Sequence, residues 1–320
     1  MNNRYTNALV LGGGGAKGFA HIGAIVELEK QSFRPDIICG SSSGAIAGAF
    51  YAIHKEKISE FQEVDNRREF YILKNLNLRN IDFDEEKHGF FLRTVSTIKA
   101  KFSIIKMLRD TAVLKKEEVV SVFKNLFSDA TFDKTSIPFL SVAFDLISGK
   151  DVYIKSGPLW KAVMASCSIP GIFPPVEYGD MLLVDGGVTN RLPVKSAILS
   201  GAKNVMGIDL SGELDFQEEI SSVINIHLRI DSLLTHRFDM YNKTMADLII
   251  KPALGDMKWH EFKRYTYAIE KGREAIKEFL PQITTIRSRI YTYKKNIRFL
   301  LGHIEQKKLA RIDRNEYIFV

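Results

Sequence analysis

Cysteine is scarce in this chain: Cys39 and Cys167 are the only two among 320 residues. Two thiols cannot build a disulfide framework, so a reducing compartment and two small buried side chains are expected. No C-x-x-C or H-E-x-x-H spacing occurs, which argues against a bound metal. A long apolar run is missing as well. The longest charge-free stretch near the start, Ile37 to Ile53, is short for a membrane span and opens with Gly and Ser. It reads as a strand, a turn and a buried helix. The first six residues lead into a short apolar stretch that ends in glycines, without the layout of a signal peptide. A cytoplasmic protein is therefore expected, with contact to a membrane limited to its periphery.

The hydrophobic share of 45% and the charged share of 26% suit a globular chain long enough to bury a large core. The net charge of +7 is unevenly spread. Residues 93–116 hold seven Lys and Arg against one Asp, and residues 281–320 hold nine against three acidic residues. Two such zones suit an anionic surface, or they are solvated faces of helices.

Apolar spacing supplies the element order. Asn7–Leu11 reads as a buried strand, Phe19–Lys30 as a helix, Ile37–Cys39 as a second strand and Ser43–Ile53 as a helix rich in Ala and Gly. Strand and helix alternating in this way predict an α/β fold with a parallel sheet. Residues 54–130 read as a helical insertion or lid. Within it Val95, Ile98, Phe102 and Ile105 recur among Lys99, Lys101 and Lys106 as a basic amphipathic helix. Strands follow at Pro138–Phe144, Met181–Val184, Asn204–Leu210 and Val223–Ile230. A helix over 259–280 is expected to stop before Pro281, and 281–320 reads as a basic appendage.

Three motifs carry chemistry. Gly12-Gly-Gly-Gly-Ala-Lys-Gly18 joins a strand to a helix, where backbone N–H groups favour negative charge. A dinucleotide loop would need an acid at the far end of the second strand, but that end is Gly40. A P-loop would need Ser or Thr after Lys17, but Gly18 is there. An oxyanion hole meets neither objection. Gly40-Ser-Ser-Ser-Gly44 is G-x-S-x-G between a strand and a helix, the setting of a nucleophile elbow with Ser42 at its apex. Asp185-Gly186-Gly187 ends an apolar strand, and strand ends of a parallel sheet are where ligands gather. Ala165 to Pro175, dense in small residues and proline, reads as a rigid loop that walls the nucleophile.

Together these segments resemble the patatin-like phospholipase family, which includes the catalytic domain of neuropathy target esterase. The resemblance rests on Leu11–Gly23, Gly40–Gly44, Ala165–Pro175 and Asp185–Gly187. It implies a three-layer α/β fold, with a mainly parallel central sheet flanked by helices and a helical insertion. The core would span 6–200, with 201–280 completing the same domain. It also implies Ser42 as nucleophile and Asp185 as proton acceptor. Gly13, Gly14, Gly15, Lys17 and Gly18 would form the oxyanion loop, supported by Gly40, Gly44, Gly186 and Gly187. Lys17 stands where relatives often carry Arg. The implied substrate is a lipid acyl ester. Neither a cofactor nor a nucleic acid is implied, and the oligomeric state is left open. Two rival readings remain: a Ser-Asp-His triad drawing on His227, His236 or His260, and a non-catalytic basic membrane-binding protein.

Overall fold

The computed structural model describes residues 5–54, 112, 114–212, 223–287 and 317–320. The amphipathic helix expected around Val95–Ile105 lies outside these residues, as does most of the expected insertion.

Strands with both faces buried set the central sheet. In β1 (Tyr5–Leu11), Ala8 and Val10 pack on one face of the sheet, and Leu9 and Leu11 on the other. Beside it lie β2 (Ile37–Ser41), β3 (Phe139–Asp145), β7 (Ala202–Ile208) and β8 (Leu248–Ile250), all parallel to their neighbours in the order β3-β2-β1-β7-β8. The larger apolar cluster packs α1 (Phe19–Lys30), α2 (Ser43–Ile53), α3 (Lys116–Phe127) and α4 (Leu159–Ser166) on one face. The smaller cluster holds α5 (Val194–Leu199) on the other, so the sheet is the middle of three layers.

The sheet also contains antiparallel pairs. β4 (Lys150–Ile154) and β6 (Met181–Asp185) both run against β3, and β5 (Val176–Tyr178) runs against β6. The register on β3 is decisive. β4 pairs along Ser141–Asp145 and occupies one edge. On the other edge β2 stops at Ser41 opposite Val142, and β6 stops at Asp185 opposite Ala143. Two strands running in opposite directions thus end facing each other on consecutive residues of β3.

Three expectations change. Val223–Ile230 is not a strand but the start of α6 (Val223–Lys243). Its alternation of apolar and polar residues over the seven positions Ile224–Ile230 imitates a half-buried strand, yet the pattern beyond it returns at three and four residues. The helix expected over 259–280 does stop before Pro281, but it starts only at Tyr265 and a second helix follows it directly. α7 (Tyr265–Glu278) is followed by α8 (Leu280–Arg287), where Pro281 sits in the first turn, whose N–H would have no partner anyway. The end of the expected appendage rejoins the sheet as β9 (Tyr317–Phe319), parallel to β4. α1 and α7 cross at glycines: a Cβ on Gly23 would lie 1.8 Å from the Ile269 carbonyl oxygen, and one on Gly272 1.9 Å from that of Ala20.

Candidate active site

Ser42 connects β2 to α2 with φ 53° and ψ −125°, a conformation that costs a non-glycine residue about 1–3 kcal/mol. The strain persists because both sides of the residue are held. Its N–H donates to Ser166 Oγ at 2.9 Å, and Ser166 Oγ donates in turn to the Val142 carbonyl at 2.5 Å. Its own carbonyl accepts from Ala45 N–H at 2.8 Å and from Cys167 Sγ at 3.3 Å. Gly40 and Gly44 leave the room the turn needs: a Cβ on Gly44 would lie 2.1 Å from the Leu11 carbonyl oxygen. Ser166 and Cys167 belong to the stretch expected to wall the nucleophile, but their part in fixing its backbone left no trace in spacing. Ser166→Ala strands the buried Ser42 amide, so a loss of about 1–3 kcal/mol of stability is expected by denaturant titration. A fall in kcat with little change in KM should accompany it.

Asp185 is buried and reaches Ser42 because β2 and β6 end against each other on β3. One carboxylate oxygen accepts Gly187 N–H at 2.7 Å, and the carboxylate accepts the Ser42 hydroxyl. Burial pushes its pKa up to about 6, while the bonds from Ser42 and Gly187 and the Arg191 charge act in the opposite direction. Gly186 lets the turn press on β3, since a Cβ there would lie 2.5 Å from the Val142 carbonyl oxygen.

The glycine loop lies against the serine: a Cβ on Gly13 would stand 3.1 Å from Ser42 Cβ. Its donors are not equivalent. Gly13 N–H is committed to the Arg191 carbonyl at 2.9 Å, and Lys17 N–H to the Gly14 carbonyl at 3.1 Å. Both amides are thus already engaged by acceptors within the protein. Among the described residues the amides of Gly14, Gly15 and Ser43 have no acceptor. Gly15 takes φ +56° and packs on the Trp259 carbonyl, while Gly18 packs on Ser43. His21 is buried, with Nε2 2.7 Å from the Gly12 carbonyl oxygen. Burial lowers its pKa to about 4, so it is neutral and its Nε2–H donates to the loop. Sequence reasoning had given His21 no role.

Arg191 was not foreseen either. Its carbonyl holds Gly13, its charge acts on Asp185, and its Nε lies 3.7 Å from Oδ2 of the buried Asp239 on α6. Burial raises Asp239 to about 6 against the pull of Arg191 and Lys243. Asp185 has no imidazole partner among the described residues. The His227 side chain lies outside them, and His260 stands edge-on to Trp259. Among the described residues no group of His, Cys, Asp and Glu is placed to hold a metal ion. Cys39 and Cys167 are free and buried, and burial pushes the Cys39 thiol up to about 12. A pocket with almost wholly apolar walls, including Phe19, Ile22, Ile46, Phe123 and Phe173, is also lined by Gly15, Ser42 and Ser43.

The family profile described as patatin-like phospholipase matches residues 9–198. An uncharacterized NTE family protein of Mycobacterium tuberculosis is 30% identical over 205 residues, 64% of this chain and 49% of that protein. Patatin-like phospholipase domain-containing protein 6 of Homo sapiens is 29% identical over 210 residues, 65% of this chain and 14% of that protein. This chain therefore spans half or less of each of these relatives. The crystal structure of VipD from Legionella pneumophila superposes with a TM-score of 0.44 at 13% identity, over 87% of this chain and 67% of that one. The profile covers more than half of the chain and encloses both the serine elbow and the acid opposite it, so this chain belongs to the patatin-like phospholipase family.

Proposed function

We propose that the protein hydrolyses carboxylic ester bonds of lipids through Ser42 and Asp185. The observation that carries this reading is the junction on β3, where a strained serine with a fixed backbone meets a buried carboxylate. In the proposed reaction Ser42 Oγ attacks the ester carbonyl and its proton passes to Asp185. The amides of Gly14, Gly15 and Ser43 hold the oxyanion, a donor of this kind contributing about 3 kcal/mol. Collapse of the tetrahedral adduct expels the alcohol, which takes the proton from Asp185 and leaves an acyl group on Ser42. Asp185 then removes a proton from water, the hydroxide attacks the acyl-enzyme, and Ser42 regains its proton as the fatty acid leaves. The apolar pocket suits an acyl chain.

The test is fatty-acid release from a short-chain ester and from mixed phospholipid vesicles, together with labelling by a phosphonate serine probe. Release, with the probe mapped to Ser42, is the expected result. Labelling elsewhere, or no release and no labelling, rejects the reading. A base must be ionised to act, so pH gives a separate check. With Asp185 near 6, kcat/KM on an uncharged ester should fall about tenfold per unit below that pH and level off above it. A rate independent of pH from 4 to 8 would remove Asp185 from the base role.

A further inference from the structure

α6 is built inside out. Thr235, Asp239 and Asn242 are buried against the protein, while Ile226, Ile230, Leu233, Leu234, Phe238 and Met240 are exposed. At 100° per residue the exposed apolar positions fall on one side of the helix and the buried polar ones on the opposite side. The inner side is bonded to the protein. Thr235 Oγ1 donates to the Val188 carbonyl at 3.4 Å, Asn242 Nδ2 to Asn190 Oδ1 at 3.3 Å, and Lys243 Nζ pairs with Asp209 at 2.7 Å. Over its described side chains, this helix therefore gains little from the hydrophobic effect inside its own fold and presents its apolar side outward. Isolated exposed apolar residues are ordinary, but a contiguous stripe of them marks a surface that meets another apolar phase.

We propose that the outer face of α6 docks on an anionic lipid bilayer. Charge selects the occupant. Arg237 is exposed within the apolar stripe and Arg229 lies at its flank, while Lys195 Nζ sits 5.9 Å from the Tyr241 ring. No exposed carboxylate occurs among the described side chains of the helix. A second copy packed face to face about a twofold axis would bring this cationic stripe against itself. Anionic headgroups would accept the guanidinium groups, while the Leu and Phe side chains enter the acyl region. No helix among the described residues is long and apolar enough to cross a membrane, so α6 lies on the surface. The same helix braces Val188, Asn190 and Arg191, the loop that follows Asp185, so docking would place the esterolytic site beside its lipid. The choice of a bilayer rests on the lipid-ester reading; the inverted helix does not.

The experiment is vesicle flotation with the Ser42→Ala protein, so that binding is read without catalysis. Vesicles of phosphatidylcholine alone are compared with vesicles containing phosphatidylglycerol. Binding to the anionic vesicles is expected, falling about tenfold or more in L234S/F238S and severalfold in R237Q. Thermal melting of each variant checks the fold. Ile230→Ser replaces the double variant if that one melts early, and the emission of F238W should shift to the blue on binding. The proposal is overturned if the parent does not bind, if L234S/F238S floats as well as the parent, or if light scattering shows a dimer that L234S/F238S dissociates. If the parent protein with Ser42 intact binds through α6 but neither releases fatty acid nor is labelled at Ser42, the hydrolase reading is rejected and this one stands.

Discussion

Ser42→Ala should reduce ester hydrolysis by about 10⁴-fold or more, the scale on which removal of a serine nucleophile acts when the rest of its site remains. Asp185→Asn should cost nearly as much, because the amide cannot take the hydroxyl proton. The double variant should be little worse than either one, since the two groups act in one step. Initial rates on a short-chain ester measure all three, and purely additive losses would show that the groups act separately. Asp185→Asn carries a second signature. The folded carboxyl titrates at about 6 against an ordinary 3.8. A folded value raised above the unfolded one gives stability that is complete at low pH and lost as pH climbs through the folded value. An ionised Asp185 therefore weakens the native state by up to about 3 kcal/mol above pH 6. The Asn variant should melt higher than the parent at pH 8, and this advantage should vanish below about pH 4.

Gly44→Ala should prevent folding. The added methyl would sit 2.1 Å from the Leu11 carbonyl oxygen and 2.5 Å from its carbonyl carbon, and both are backbone atoms at the end of β1. No rotamer relieves a clash with backbone, so α2 would have to lift from the sheet. That exceeds the ~4 kcal/mol at which single substitutions become exceptional, for a fold whose whole margin is about 5–15 kcal/mol. Insoluble expression, or a flat near-ultraviolet circular dichroism spectrum, is the expected observation. Gly179→Ala is a useful contrast, because no atom lies within 4 Å of the added Cβ and only its φ of +61° opposes the change. A Gly44→Ala protein that melts like the parent would mean that the elbow has slack.

Much of the site was legible because its parts are local. The glycine loop, the elbow and the Asp-Gly-Gly turn each join a strand to the next element, and apolar runs mark those strands. What made them one site was not local. Pairing of β6 with β3 depends on a register that no single segment encodes. The short antiparallel strands β4 and β5, five and three residues long, carry no periodicity of their own. Ser166 and Arg191 act on residues far along the chain, one through a hydroxyl and the other through a backbone carbonyl, and neither leaves a motif. α6 misled for the opposite reason. Residues Ile224–Ile230 carry a strand-like alternation, and the described apolar side chains of the helix point away from the core that such a pattern normally serves.

The end-to-end meeting of β2 and β6 also bears on when the chain becomes able to react. A ribosome finishes the Ser42 elbow more than a hundred residues before it adds Asp185, and no nearer acid occupies the facing strand end. On the proposed Ser42–Asp185 reading, the serine would have no base during that interval and the growing polypeptide would leave the lipids around it intact. A slip of one residue by either strand would turn its side chains to the other face and separate the pair. Under the same proposal, esterolytic competence would certify that synthesis has passed Asp185 and that both strands have taken their correct places on β3.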